Sequence, residues 1–156
     1  MKKIVYLIAI SFVLHLIWEN AHAPLYSVYE SFIQHFVPCF IATFGDITVT
    51  LSVYGIVSLP KRNTVWITDL NIKDIFALAV ISFFIAVWIE QYALFIDKWG
   101  YTSSMPLIPY FDVGLTPILQ MVILLPLSVY LTGKFVTKPN PPPNQIRPAS
   151  SAGRAH

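Results

Sequence analysis

Four apolar stretches, each about as long as a bilayer is thick, leave this chain few folds to choose from. They cover residues 4–23, 37–59, 74–96 and 113–135. About 20 residues at 1.5 Å each cross a hydrocarbon core of about 30 Å. Backbone groups inside that core must be satisfied within the segment, so each stretch reads as a helix. The composition agrees. Apolar residues make up 56% of the chain and charged residues only 12%, with mean hydropathy +0.64. A soluble domain carries roughly a quarter charged residues. The sequence therefore predicts an all-α, four-helix transmembrane bundle over residues 1–137. The second stretch is interrupted by Asp46, Thr48, Thr50 and Ser52, so it is expected to be the helix shielded by the other three.

The first stretch also imitates a secretory signal: MKK is a basic start, and Ala21-His22-Ala23 resembles a small-x-small cleavage site. Pro24 follows that site directly, and His15 and Trp18-Glu19 interrupt the apolar run. The segment is accordingly read as a retained helix.

Positive charge orients the bundle. Lys2, Lys3, Lys61, Arg62, Lys73, Lys134, Lys138, Arg147 and Arg154 fall on one side of a four-helix arrangement, and Lys98 alone on the other. The side rich in Lys and Arg is cytoplasmic, which places both termini inside in a multi-pass cell-membrane protein. Residues 138–156, KPNPPPNQIRPASSAGRAH, are proline-rich and polar and are expected to form a disordered cytoplasmic tail. The net charge of +2 is small and spread out, so no nucleic-acid partner is expected. A single cysteine, Cys39, excludes an intrachain disulfide and a thiolate zinc cluster.

With that topology the acids gather at one depth. Counting from the inner boundary at 1.5 Å per residue, Glu19 lies roughly 22 Å up and Glu90 roughly 24 Å, with Asp46 and Gln120 at roughly 20 Å. Buried ionisable groups are costly in a membrane and mark function by default. Three carboxyls at one level cannot all ionise cheaply, so a proton is expected to be held among them, the setting of an acid/base pair. Glu19, Asp46 and Glu90 are the candidate catalytic groups.

Around them stand candidate ligand-binding residues. His15, Trp18, Glu19 and His22 follow an i, i+3, i+4, i+7 spacing and share one helical stripe. Trp88 and Gln91 flank Glu90, and Gln120 completes the level. Trp99 and Tyr101 sit in the loop DKWGYTSSMPLIPYFD. An interfacial aromatic belt explains Tyr26, Tyr29, Tyr101 and Tyr110 equally well. Trp18 and Trp88 suit either a belt or a cavity wall.

Several functions could use this layer. A lipid-like substrate could enter between helices while a carboxyl pair moves a proton, as in double-bond isomerisation, with indole faces steadying a carbocation. Glu19-x-x-His22 is the i, i+3 unit of di-iron bundles, but those use two such units and this chain has one. No metal and no cofactor is expected, and no Cys-x-x-Cys-His marks haem. Proton or cation transport would need an inner path, for which Thr50, Ser52, Ser82 and Ser128 are the main polar groups available. The bland alternative is helix–helix hydrogen bonding worth about 0.6 kcal/mol per bond.

The pattern resembles the EXPERA superfamily, which includes the emopamil-binding sterol isomerase and the sigma-2 receptor. The likeness lies in four helices with both termini inside, an acid near the outer end of helix one (Glu19 in WENAHAPLY), an acid in helix two (Asp46), and a proline-bearing fourth helix, TPILQMVILLPLSVYL. The resemblance implies a pocket for sterols or hydrophobic amines bound through such acids. The WENAHAPLY string equally resembles small bacterial integral membrane proteins.

Overall fold

The computed structural model describes residues 2–63 and 66–137; the proline-rich segment 138–156 lies outside them. Four long helices, α1 (Lys2–His22), α2 (Phe32–Lys61), α3 (Ile72–Phe95) and α4 (Leu115–Val136), are joined by short connections. All four are long and apolar enough to cross a membrane. This is a multi-pass helical architecture.

Local chemistry sets the ends. Helix α1 runs without Gly or Pro until Pro24, which lies in a single 3₁₀ turn (Ala23–Leu25) and cannot extend the ladder. Helix α2 starts five residues before its apolar run because Ser31 caps it. The Ser31 hydroxyl accepts from the Gln34 backbone N–H at 3.4 Å and donates to the Gln34 side chain at 2.7 Å. Its far end turns at Arg62, which is left-handed (φ 46). Asn71 and Asp74 form a reciprocal capping box that begins α3. Into α4 leads a short antiparallel hairpin, β1 (Leu107–Ile108) and β2 (Val113–Gly114), turning through Tyr110 and Asp112 in the left-handed region. The apolar pattern gave no sign of that hairpin.

Helix α1 packs on α2 and α4, α3 packs on α4, and a thinner seam joins α2 to α3. The apolar core runs through Leu7, Val53, Leu78, Ile118, Leu125 and Val129. Many other large apolar side chains are exposed, as lipid-facing residues should be; Ile33, Leu59, Phe84 and Phe95 are among them.

The shielded helix is α4, not α2. Over half of the α4 span is buried, 56%, against 28% for α2. The expectation failed because the hydroxyls of α2 find acceptors within the helix itself. The hydroxyls of Thr43, Thr48, Thr50 and Ser52 each donate to the carbonyl four residues back, at 2.8 Å. Once satisfied that way, Thr48 and Ser52 stand exposed beside Phe44 and Ile56.

The helical prolines differ in what they cost. Pro117 is in the first turn of α4, where N–H groups have no intrahelical partner anyway. Pro38, Pro60 and Pro126 lie inside their helices, and each removes one backbone donor.

Candidate functional site

Three helices bring four polar side chains to one point. Glu19 and His15 come from α1, Asp46 from α2 and Gln120 from α4. The Gln120 side-chain nitrogen donates to Glu19 Oε1 and to Asp46 Oδ2, both at 2.9 Å, and lies 3.1 Å from His15 Nδ1. The two carboxylate oxygens can thus be no farther apart than twice that bond length. His15 Nδ1 is also 3.4 Å from Asp46 Oδ2. His15 and Gln120 are buried, while Asp46 and Glu19 keep 20% and 16% side-chain exposure.

A second stage lies above the first. His22 Nε2 is 3.6 Å from Glu19 Oε2, and its Nδ1 is 3.3 Å from the Thr116 hydroxyl of α4. Three buried polar atoms here have no protein hydrogen-bond partner among the described residues: His15 Nε2, His22 Nε2 and the Trp18 indole nitrogen. Below the cluster, Ser11 donates to Thr50 at 3.3 Å. Cys39 donates its thiol to the Glu19 backbone carbonyl at 3.5 Å. The cysteine is therefore a small buried packing residue on the α1 seam.

Glu90 forms a separate centre on α3. Its carboxylate accepts from the Trp99 indole at 3.2 Å and from the Tyr101 hydroxyl, both in the loop between α3 and α4. That loop is fastened to the α1–α2 connection. Ser27 N–H donates to Gly100 and Thr102 N–H to Leu25, each at 2.9 Å, and Tyr26 bridges to Tyr101. The fit is close: a Cβ on Gly100 would lie 3.0 Å from the Ser27 hydroxyl oxygen. Tyr26 links the two centres, its ring 5.3 Å from His22 and 5.7 Å from Tyr101.

The loop phenols register the charge around them. Burial pushes the Tyr26 phenol up from its usual range, and the carboxylates of Glu90 and Glu19 add to that. Burial also raises Tyr101, with Glu90 next.

The sequence-derived set is thus only partly gathered. Glu19, Asp46, His15 and Gln120 converge, with His22 adjoining. Trp99 and Tyr101 join Glu90 instead. Trp88 stands apart: it is 66% exposed on the outer face of α3 and stacks on Tyr92 at 5.8 Å. Residues 88 and 90 are two apart on a helix, so they face opposite sides. Tyr26, Thr116 and Thr50 join the network without having been singled out for it. Only Thr50 had a readable signal, one helical turn beyond Asp46.

Chemically, the Gln120 amide sits where a cation would, at hydrogen-bond distance from two carboxylates and an imidazole. Among the described residues no three His, Cys, Asp or Glu side chains are arranged to hold a metal. An apolar groove between α1 and α2 is lined by Ile8, Phe12, Phe44 and Ile47, and a hollow near Tyr54 and Arg62 lies toward the other end of the bundle; neither includes a carboxylate. What the cluster can do is hold and pass protons among carboxyl, imidazole and phenol groups inside an apolar bundle. No family model, curated protein or solved structure matches this chain.

Proposed function

We propose that this is a cell-membrane protein with both termini cytoplasmic, whose outer-half acid cluster binds a small hydrophobic or amphiphilic molecule from the lipid phase. Acid/base chemistry of the isomerase type is the reaction such a cluster suits. The carrying observation is that Glu19, Asp46 and Glu90 are drawn into spanning helices while, among the described residues, no Lys or Arg pairs with them. The Lys61–Asp74 pair, at 2.8 Å, is at the opposite end of the bundle, and Lys98 lies over the Trp99 ring at 5.1 Å. Carboxylates left without a cation attract one, and a basic nitrogen on an apolar body meets both demands of the site. The resemblance to the EXPERA superfamily suggests a template for such a pocket.

Orientation rests on the described basic residues: Lys2, Lys3, Lys61, Arg62, Lys73 and Lys134 at one end, Lys98 at the other.

The test is thermal stability of the protein in lipid nanodiscs with a phenylalkyl tertiary amine and with the matching neutral ether. The amine should raise the melting temperature of wild type, the ether should not, and Glu19→Gln or Asp46→Asn should erase the gain. An equal response to both compounds would remove the acids from recognition. For the chemical step, an isoprenoid alkene incubated in D₂O should take up deuterium with wild type and not with Glu90→Gln.

One specific feature favours a second reading. Gln120 satisfies both carboxylates at once, which is also what a purely structural tie between α1, α2 and α4 requires.

A further inference from the structure

His15 is completely buried in α1 and is held from one side only. Its Nδ1 faces Gln120 and Asp46; among the described residues none hydrogen-bonds its Nε2. A neutral imidazole has one proton for two nitrogens, and the neighbours decide which carries it.

The hydrogen count around Gln120 makes that decision. Its amide group has two hydrogens and three acceptors in reach: Glu19 Oε1, Asp46 Oδ2 and His15 Nδ1. Bonds to carboxylates are charge-assisted and roughly twice as strong as neutral ones, so the two hydrogens go to the two carboxylates. Turning the amide over would press its carbonyl oxygen against both anions. Nδ1 therefore receives nothing from Gln120, and a lone pair there would face the Asp46 oxygen at 3.4 Å. A proton on Nδ1 replaces that repulsion with attraction. The lone pair is left on Nε2. An imidazolium would instead place a second N–H where no acceptor stands among the described residues. His22 differs, because both of its ring nitrogens face oxygens, those of Thr116 and Glu19.

We propose that His15 is the proton acceptor of the cluster: a neutral imidazole held in its Nδ1–H form by Asp46, with Nε2 as the base. The proposal rests on the cluster being a ligand site and changes the division of labour within it. Asp46 becomes a positioning residue, and the group a bound molecule presents to Nε2 is a donor, a hydroxyl or an ammonium N–H.

Nitrogen-15 spectra of the full chain, histidine-labelled in nanodiscs without ligand, test this directly. His15→Gln assigns the His15 signals by their loss. At neutral pH wild type should show a pyrrole-type Nδ1 and a pyridine-type Nε2, and Asp46→Ala should lose that pattern. A pyrrole-type Nε2 in wild type, in either the neutral or the charged ring, overturns the proposal. An unchanged pattern in Asp46→Ala also overturns it, since Asp46 would then not hold the tautomer. Should that variant fail to fold, the wild-type spectrum still decides. No ligand enters the measurement, so its failure is separate from a failure of amine binding.

Discussion

Gly133 of α4 lies so close to the backbone of Ile67 that a Cβ there would fall 2.1 Å from the Ile67 carbonyl oxygen. The contact docks the 3₁₀ turn Trp66–Thr68 onto α4, and Ile67 itself is almost wholly buried. Beside it, Trp66 stacks on Tyr54 at 5.5 Å and donates to the Ser58 hydroxyl at 2.7 Å. A backbone carbonyl cannot swing aside as a side chain can. Gly133→Ala should therefore destabilise the bundle by about 1–3 kcal/mol, the usual cost of overpacking, although alanine is the better helix former by up to about 1 kcal/mol. Thermal unfolding in nanodiscs reads the result; an unchanged or higher melting temperature would mean that the turn is not docked there.

The loops that carry Tyr26 and Tyr101 should be sensitive to alkali. Burial and neighbouring carboxylates raise the phenols of Tyr26 and Tyr101 above the ordinary value of 10.0. An acid whose pKa is raised by folding contributes stability that is complete below its unfolded value. That stability is lost as the pH climbs, because the unfolded chain gives up the proton first. Stability should hold from neutral pH to about 10 and fall beyond it. Tyr101→Phe should flatten part of that decline. It should also cost about 1–3 kcal/mol at neutral pH, because Glu90 loses a buried donor. Melting curves from pH 7 upward, for wild type and variant, provide the check.

How much of this was readable in the chain differs from one residue to the next. Spanning helices show up as uninterrupted apolar length, so α1 to α4 were legible to within a few residues. The largest miss was at Phe32, where a serine cap rather than hydropathy sets the start. Counting 1.5 Å per residue was enough to put Glu19, Asp46 and Gln120 together, because antiparallel helices share one boundary. Depth says nothing about azimuth, however. Glu90 was counted to the same height but turns to Trp99 and Tyr101, partners supplied by a loop whose fold depends on backbone bonds to Ser27 and Leu25. Trp88 was misplaced for the same reason, although the two-residue spacing from Glu90 already set them on opposite faces. Hydroxyls were misjudged in the other direction. Thr48 and Ser52 look polar in sequence, yet their bonds to the preceding turn let them face lipid.

Topology can be checked with the one cysteine moved. Ser103 is exposed in the loop between α3 and α4, at the end opposite Lys2, Lys3 and Lys134. A Cys39→Ser, Ser103→Cys chain in intact cells should react with a membrane-impermeant maleimide. Labelling only after permeabilisation would invert the bundle and move the acid cluster to the cytoplasmic half.

The deciding comparison is between removing Gln120 and removing the charges it serves. Gln120→Leu leaves the Glu19 and Asp46 carboxylates facing one another without their shared donor. It should destabilise by about 1–3 kcal/mol, as unsatisfied buried groups do. Neutralising the acids acts the other way. Buried ions carry a desolvation cost that replacement by uncharged groups often relieves, so the triple variant Glu19→Gln, Asp46→Asn, Glu90→Gln should melt no lower than wild type. Both results follow from electrostatics whether or not the cluster has a function. The amine response separates the two readings. A binding site keeps charged groups despite their cost, so the triple variant should lose the amine-induced rise in melting temperature. If instead the triple variant keeps the amine response in full, the acids are no more than a tie between helices and the proposed site is wrong.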